Sequence, residues 1–185
     1  MTVWVLGFDL SLTAPAAVAL PLDWRPGDWK RAKTWKLSPK QPKDKDDLKG
    51  QIERQIEIAE WASSCVRGLG PASSKALRVY VENYGFSRNN ASASRIQESG
   101  GITKALLYKR HAAIMTPVSS SEARKVTLGF NPRRPKHDPK VVVIDTVVNK
   151  FGAPKAWTED QCDAFVVCQF GLSQEGGKIF TLGSR

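Results

Sequence analysis

The chain has 185 residues, 41% of them hydrophobic, which suits one domain with a full core and excludes a disordered tail protein. It carries 28 basic against 18 acidic residues, formally +10, with a pI near 9.7. A balance this basic suits a polyanionic partner, either nucleic acid or an anionic membrane surface. No segment approaches the ~20 apolar residues of a membrane span. The N-terminus lacks the basic n-region of a signal peptide, and Asp9 interrupts its short apolar run, so cytoplasmic residence is expected.

Three strand-like runs come first, at residues 2–9, 14–20 and 32–38, with Pro/Gly/Trp-rich turns between them. A polar loop leads into a helix ending at Arg67, on which Leu48, Ile52, Ile56, Ala59 and Val66 recur near helical period. A fourth strand at 77–83 ends on Val81-Glu82. Residues 91–110 read as a helix carrying Ile96, Ile102, Ala105, Leu106 and Tyr108. Its Gly100-Gly101 pair costs roughly 2 kcal/mol of helix propensity against two alanines, which predicts close packing against another helix, a second subunit included.

A buried strand at 112–118 follows, then a short helix capped within Ser119–Ser121 with Glu122 in its first turn. Pro132, Pro135 and Pro139 make the following stretch a loop, and Arg133, Arg134, Lys136 and His137 make it basic. A helix over 140–150 is predicted with Val141, Ile144, Val147 and Val148 on one face. The last helix begins after Thr158 as N-cap, buries residues from Ala164 to Phe170, and ends at Gly176-Gly177. The order βββαβαβα followed by helices predicts a mixed α/β sheet with helices on its faces. Cys65, Cys162 and Cys168 are odd in number and widely spaced, so reduced thiols are expected, with no disulfide framework or zinc site.

Charge is unevenly spread. Between Tyr84 and Lys140 stand eleven Lys/Arg against three acids, a net +8. A solubilising surface interleaves both signs, so this stretch is read as a phosphate-binding face.

Four carboxylates carry the chemistry. Asp9 and Glu82 each end an apolar strand, and Asp160 and Asp163 are three apart, which places them on one helix face. Taken singly, Asp9 is an ordinary turn aspartate, and Asp160 a first-turn acid complementing the helix dipole. Asp163 sits among residues that look buried, where an unpaired acid is costly. Together, converging carboxylates call for a hard divalent cation.

Gly7-Phe8-Asp9-Leu10-Ser11, Val81-Glu82 and Asp160-x-x-Asp163-Ala164, in this order, resemble the motifs of the RuvC family of Holliday junction resolvases, within the RNase H-like fold. The resemblance covers about residues 3–172. It implies a mixed five-stranded sheet with helices on both faces, forming a single RuvC-like nuclease domain over 1–185. It also implies Asp9, Glu82, Asp160 and Asp163 as catalytic ligands of two Mg²⁺ (or Mn²⁺) ions per active site. The expected activity is Mg-dependent cutting of four-way junctions by paired symmetric nicks, leaving 5′-phosphate and 3′-hydroxyl ends, carried out by a homodimer in a bacterial or phage-infected host. Many cellular members have Pro-Gly where this chain has Leu10-Ser11, which points to a phage-type member.

For DNA contacts, Phe86 and then Tyr84 are candidates to stack on an unpaired base at the junction, the alternative being core packing. Arg88, Arg124, Lys125, Arg133, Arg134 and Lys136 are candidate phosphate contacts, and Lys140 a group near the scissile phosphate. Two other readings stand beside this one: an RNase H-like nuclease on hybrids or other branched DNA, and a non-catalytic DNA-binding module. The Gly-rich phosphate loops of an actin or sugar-kinase phosphotransferase are absent. The basic loop yields an expected result: Arg133→Ala with Arg134→Ala flattens the salt dependence of DNA binding, whose log–log slope is about −0.9 per duplex phosphate contacted. A titration of affinity against salt checks it, and an unchanged slope means the loop faces away from DNA.

Overall fold

The computed structural model describes residues 2–44, 46–70, 76–83, 90–129 and 138–176. Its elements are β1 (Trp4–Asp9), β2 (Ala16–Pro21), β3 (Lys33–Lys36), α1 (Leu48–Arg67), β4 (Leu77–Asn83), α2 (Asn90–His111), β5 (Met115–Ser119), α3 (Ser120–Leu128), α4 (Pro139–Asp145) and α5 (Glu159–Gln174). The five strands form one sheet in the order β3-β2-β1-β4-β5. β1 and β2 are antiparallel, as are β2 and β3, while β4 and β5 run parallel to β1 and to each other. This is the mixed five-stranded sheet, with helices on both faces, that the RNase H-like class predicts.

Alternation along the strands divides the core into two halves. Val5, Val18, Leu20, Tyr80 and Val118 point to the face covered by α3, α4 and α5. Leu6, Phe8, Leu10, Val79 and Val81 point to the face covered by α1 and α2. β2 is buried at every position, as a central strand covered on both faces should be.

Helix α5 lies hard against β1 because Gly7 has no side chain. A Cβ there would collide with the Ala164 carbonyl oxygen and lie 2.5 Å from the Cys168 amide nitrogen. Both atoms are backbone and cannot rotate away. We therefore expect Gly7→Ala to destabilise the fold by about 3 kcal/mol, the upper end of the overpacking range, with a matching drop in Tm.

Segment 21–31 braces the other side of α5. Trp24 is fully buried, its ring 5.8 Å from that of Phe165 and 5.1 Å from that of Trp29. The Trp29 indole donates to the Phe151 carbonyl at 3.0 Å and packs edge-on to Trp157 at 5.1 Å. Edge-to-face pairs contribute about 0.5–1.5 kcal/mol each beyond burial, so this cluster fixes the helix turn that follows Asp163.

Several helix faces differ from expectation. On α1, Leu48, Ile52 and Ile56 are 70%, 54% and 48% exposed, while Gln51, Arg54 and Gln55 are buried beside Ile58, Ala59 and Ala62. Periodicity located the helix but not its inner face, because the buried polar residues bond to the 39–47 loop and to α2. On α2 the inner row is Ser99, Thr103 and Leu107; Ala105 and Tyr108 are exposed. Among the described residues, nothing beyond the helix's own turns lies within 4 Å of a Cβ placed on Gly100 or Gly101, so the close helix packing expected of the pair is not met among them. Across α4 and the turn that follows it the buried side chains are Val143, Thr146 and Val147, with Val141 exposed. A π-helical turn over Thr146–Lys150 widens the helix and shifts its face. The three cysteines are buried and unpaired, as expected.

Candidate metal centre

Parity and register bring the carboxylates together. Asp9 is two residues beyond Gly7 and Glu82 two beyond Tyr80, so both point to the α5 side of the sheet. Phe8 pairs with Val81 in the parallel β1–β4 ladder, so Asp9 and Glu82 end adjacent strands side by side. Helix α5 runs back along β1. Its Cys168 thiol meets the Val5 carbonyl at 3.2 Å, and Ala164 lies over Gly7, which puts its N-terminal turns above Asp9. That N-terminus is held by a capping box in which Thr158 and Gln161 bond reciprocally, and the Gln161 amide also donates to Thr34 Oγ1 at 2.9 Å. Asp160 and Asp163 flank this anchored residue.

The electrostatics are those of a crowded, poorly solvated acidic site. Asp9 is nearly inaccessible. Burial raises the Glu82 carboxyl, and Asp163 nearby raises it further, against Ser120 and Arg124. Burial also raises Asp163, opposed by Arg124, and raises Asp160, to which Glu159 and Asp163 add. Two partners were not foreseen from the sequence. The Ser120 hydroxyl donates to Glu82 Oε1, and Arg124 Nη2 lies 3.1 Å from Asp163 Oδ1, with side chains 17% and 13% exposed. Arg124, expected as a phosphate contact, thus stands inside the acidic site. Their signal was topological: α3 follows β5 directly, and β5 is the neighbour of β4.

Lys140 lies at the rim, its Nζ 2.5 Å from Glu159 Oε1 and close enough to Asp163 to feel its charge. Lys125 is exposed on α3. Tyr84, Phe86, Arg88, Arg133, Arg134 and Lys136 lie outside the described residues. Beside Glu82, a cavity of about 280 Å³ opens between the β4 end and α2, floored by Leu10, Val81 and Pro117 and edged by Asn83, Gln97 and Lys104.

Among the described residues, no three His, Cys, Asp or Glu side chains are gathered tightly enough to grip one ion. Glu82 and Asp163 instead turn toward Ser120 and Arg124. The donor set nevertheless fits a hard divalent cation: four carboxylates at one sheet end, three of them with the charged form disfavoured by burial.

A pH dependence follows. A carboxyl raised on folding makes the folded state bind more protons than the unfolded chain, so its contribution to stability falls as pH rises from about 4 through the raised value. Asp163→Asn removes one such group. In chelator, the Tm of the variant is expected to fall less than that of wild type between about pH 4 and 7. Parallel melts check this, and coincident curves mean that Asp163 is not raised.

No family model matches the sequence, and no curated protein matches it either. Comparison of folds shows that the chain has an RNase H-like fold similar to that of RuvC. The Thermus thermophilus RuvC structure is similar with a TM-score of 0.63 and 14% identity, over 94% of this chain and 97% of that one. T. thermophilus RuvC in complex with Holliday junction substrate is similar with a TM-score of 0.64 and 17% identity, over 94% and 96%. At this identity the likeness concerns the fold.

Proposed function

We propose that this chain is a Mg²⁺-dependent, structure-selective endodeoxyribonuclease that resolves four-way (Holliday) DNA junctions by paired symmetric nicks. The observation that carries this reading is the placement of Asp9, Glu82, Asp160 and Asp163 at one end of an RNase H-like sheet. The similar T. thermophilus RuvC has been solved in complex with Holliday junction substrate, and the +8 stretch between Tyr84 and Lys140 suits the same kind of partner.

Asp9, Glu82, Asp160 and Asp163 would hold two Mg²⁺ (or Mn²⁺) ions, which when bound activate water and stabilise charge at the phosphoryl oxygens. Asp9, at the end of the central and almost wholly buried strand β1, would be one of these ligands. Ser120 and Arg124 hold Glu82 and Asp163 at the site, and the Arg124 charge tempers their repulsion. Lys140, oriented by Glu159, presents a cation at the rim where a scissile phosphate enters. Tyr84 and Phe86, directly after the Glu82 strand, are placed by the sequence to stack on opened bases.

The active form is a homodimer, because a two-fold pair of sites matches the two-fold symmetry of a four-way junction. The domain spans 1–185, Leu10-Ser11 marks a phage-type branch, and the setting is the cytoplasm of a bacterial or infected host. No helix of the described residues is long and apolar enough to cross a membrane. Cutting assays with Mg²⁺ on a four-way junction, an RNA–DNA hybrid and linear duplex test the proposal. Paired symmetric nicks in the junction alone are expected. Preferred cutting of the hybrid favours the RNase H-like alternative, and no cutting favours a non-catalytic binding module.

A further inference from the structure

Helix α1 buries an arginine without giving it an anion. Arg54 is 8% exposed, its Nε has no hydrogen-bond partner, and Nη1 donates to the neutral Gln41 side chain at 2.9 Å. Among the described residues it makes no ion pair; those of α1 are Lys49–Glu53 at 3.7 Å and Glu60–Arg110. A buried charge of this kind is costly unless something neutralises it. Arg95 on α2 is near enough that its own charge adds to that cost.

Arg54 opens onto a cavity of about 330 Å³ between α1 and the 39–47 loop, with Lys40, Lys43 and Lys49 on its wall. Acids share the wall, each with a contact elsewhere. Asp47 caps α1 through Gly50 N at 2.9 Å and accepts from Lys43 N at 3.1 Å; Glu57 accepts from Lys40 N at 3.0 Å. Glu53 faces Lys49. Among the charged side chains of the wall only the guanidinium is buried, and its fork geometry matches phosphate.

The cavity's location bears on the source. Gln55, next to Arg54, donates to the Arg95 carbonyl at 3.5 Å and to Glu98 Oε2 at 3.3 Å. The first half of α1 therefore lies beside the first half of α2, the helix that follows the Glu82 strand. We propose that Arg54 anchors a phosphate-binding site at the carboxylate end of the sheet, on the α1/α2 face, and that it receives a backbone phosphate of bound DNA outside the cleavage site. The DNA source rests on the nuclease reading above; the phosphate site does not.

The test uses the full chain and Arg54→Met, which keeps length and packing but removes the charge. In chelator, the log–log salt dependence of four-way junction binding is expected to become shallower by about 0.9, the loss of one phosphate contact. The Tm of the free variant should equal or exceed that of wild type, since an uncompensated charge has gone. In a second arm, inorganic phosphate at constant ionic strength should raise the Tm of wild type and not of the variant. An unchanged slope with a lowered Tm overturns the proposal and makes Arg54 a structural strut for Gln41. Phosphate protection lost in the variant, with an unchanged slope, keeps the phosphate site but overturns DNA as its source. If wild type binds no junction, the nuclease reading fails and the phosphate arm alone decides the site.

Discussion

Asp163→Asn is expected to abolish cleavage of a four-way junction while leaving junction binding within about threefold of wild type. Asparagine keeps the shape and still offers Arg124 an amide oxygen in place of the carboxylate oxygen now 3.1 Å away. It cannot supply the negative charge that a divalent cation requires. Loss of a group that only supports a metal ligand costs about 10–100-fold in affinity or activity, so loss of a ligand itself should exceed that. Stability should not suffer, because burial already disfavours the charged form of Asp163. Single-turnover cutting with Mg²⁺, and junction binding in chelator, separate the two effects. Cutting at the wild-type rate would remove Asp163, and the site drawn around it, from the mechanism. Loss of binding and Tm together would mean that Asp163 is structural.

How much of this was legible in the sequence depended on which physical signal each element carried. The strands ending at Asp9 and Glu82 announced themselves as short apolar runs, and the Thr158 cap with its Gln161 partner was local chemistry. Such signals do not depend on the rest of the fold. The inner face of α1 did. Its exposed Leu48, Ile52 and Ile56 carry the apolar period, while buried Gln51, Arg54 and Gln55 are accommodated by partners far away in sequence. The contacts of Ser120 and Arg124 were hidden for the same reason: each spans about forty residues and exists only once β5 lies beside β4 and α3 packs on α5. The Trp24–Trp29–Trp157–Phe165 cluster likewise joins segments that look like unrelated turns and helix ends. Asp9 and Glu82 lie at strand ends and Asp160 beside a helix cap, which are local signals, whereas the contacts of Ser120 and Arg124 depend on how distant elements pack.

Leu106→Glu is expected to turn a dimeric wild type into folded monomers. Ile102 and Leu106 lie on the α2 row between Glu98 and Arg110, both of which hold α1: Glu98 accepts from Gln55 at 3.3 Å, and Arg110 Nη2 reaches Glu60 at 2.7 Å. The two apolar side chains are therefore only half-covered at the edge of the α1–α2 contact, and Tyr108, Ile52 and Ile56 are exposed nearby on the two helices. Gly100 and Gly101 sharpen the case. Among the described residues alanine would meet nothing at either position and would favour the helix by about 1 kcal/mol each, and another backbone approaching from outside gives glycine a purpose. A two-fold copy of α2 supplies one, and it would set two carboxylate sites on a junction's opposing strands. A glutamate buried unpaired in that contact costs several kcal/mol, and each 1.4 kcal/mol is tenfold, so dimer affinity should fall by more than about 100-fold. Because Leu106 is half-buried within its own chain, Gly101→Arg serves as the second variant: a Cβ there meets nothing among the described residues, and since Gly101 also lines the cavity beside Glu82, the variant is read by its oligomeric state and not by its nicking. Sedimentation equilibrium reads the outcome for both, and circular dichroism confirms their fold. Monomers should still bind branched DNA weakly but lose paired nicking. A monomeric wild type, or two variants that remain dimeric, would place the interface elsewhere.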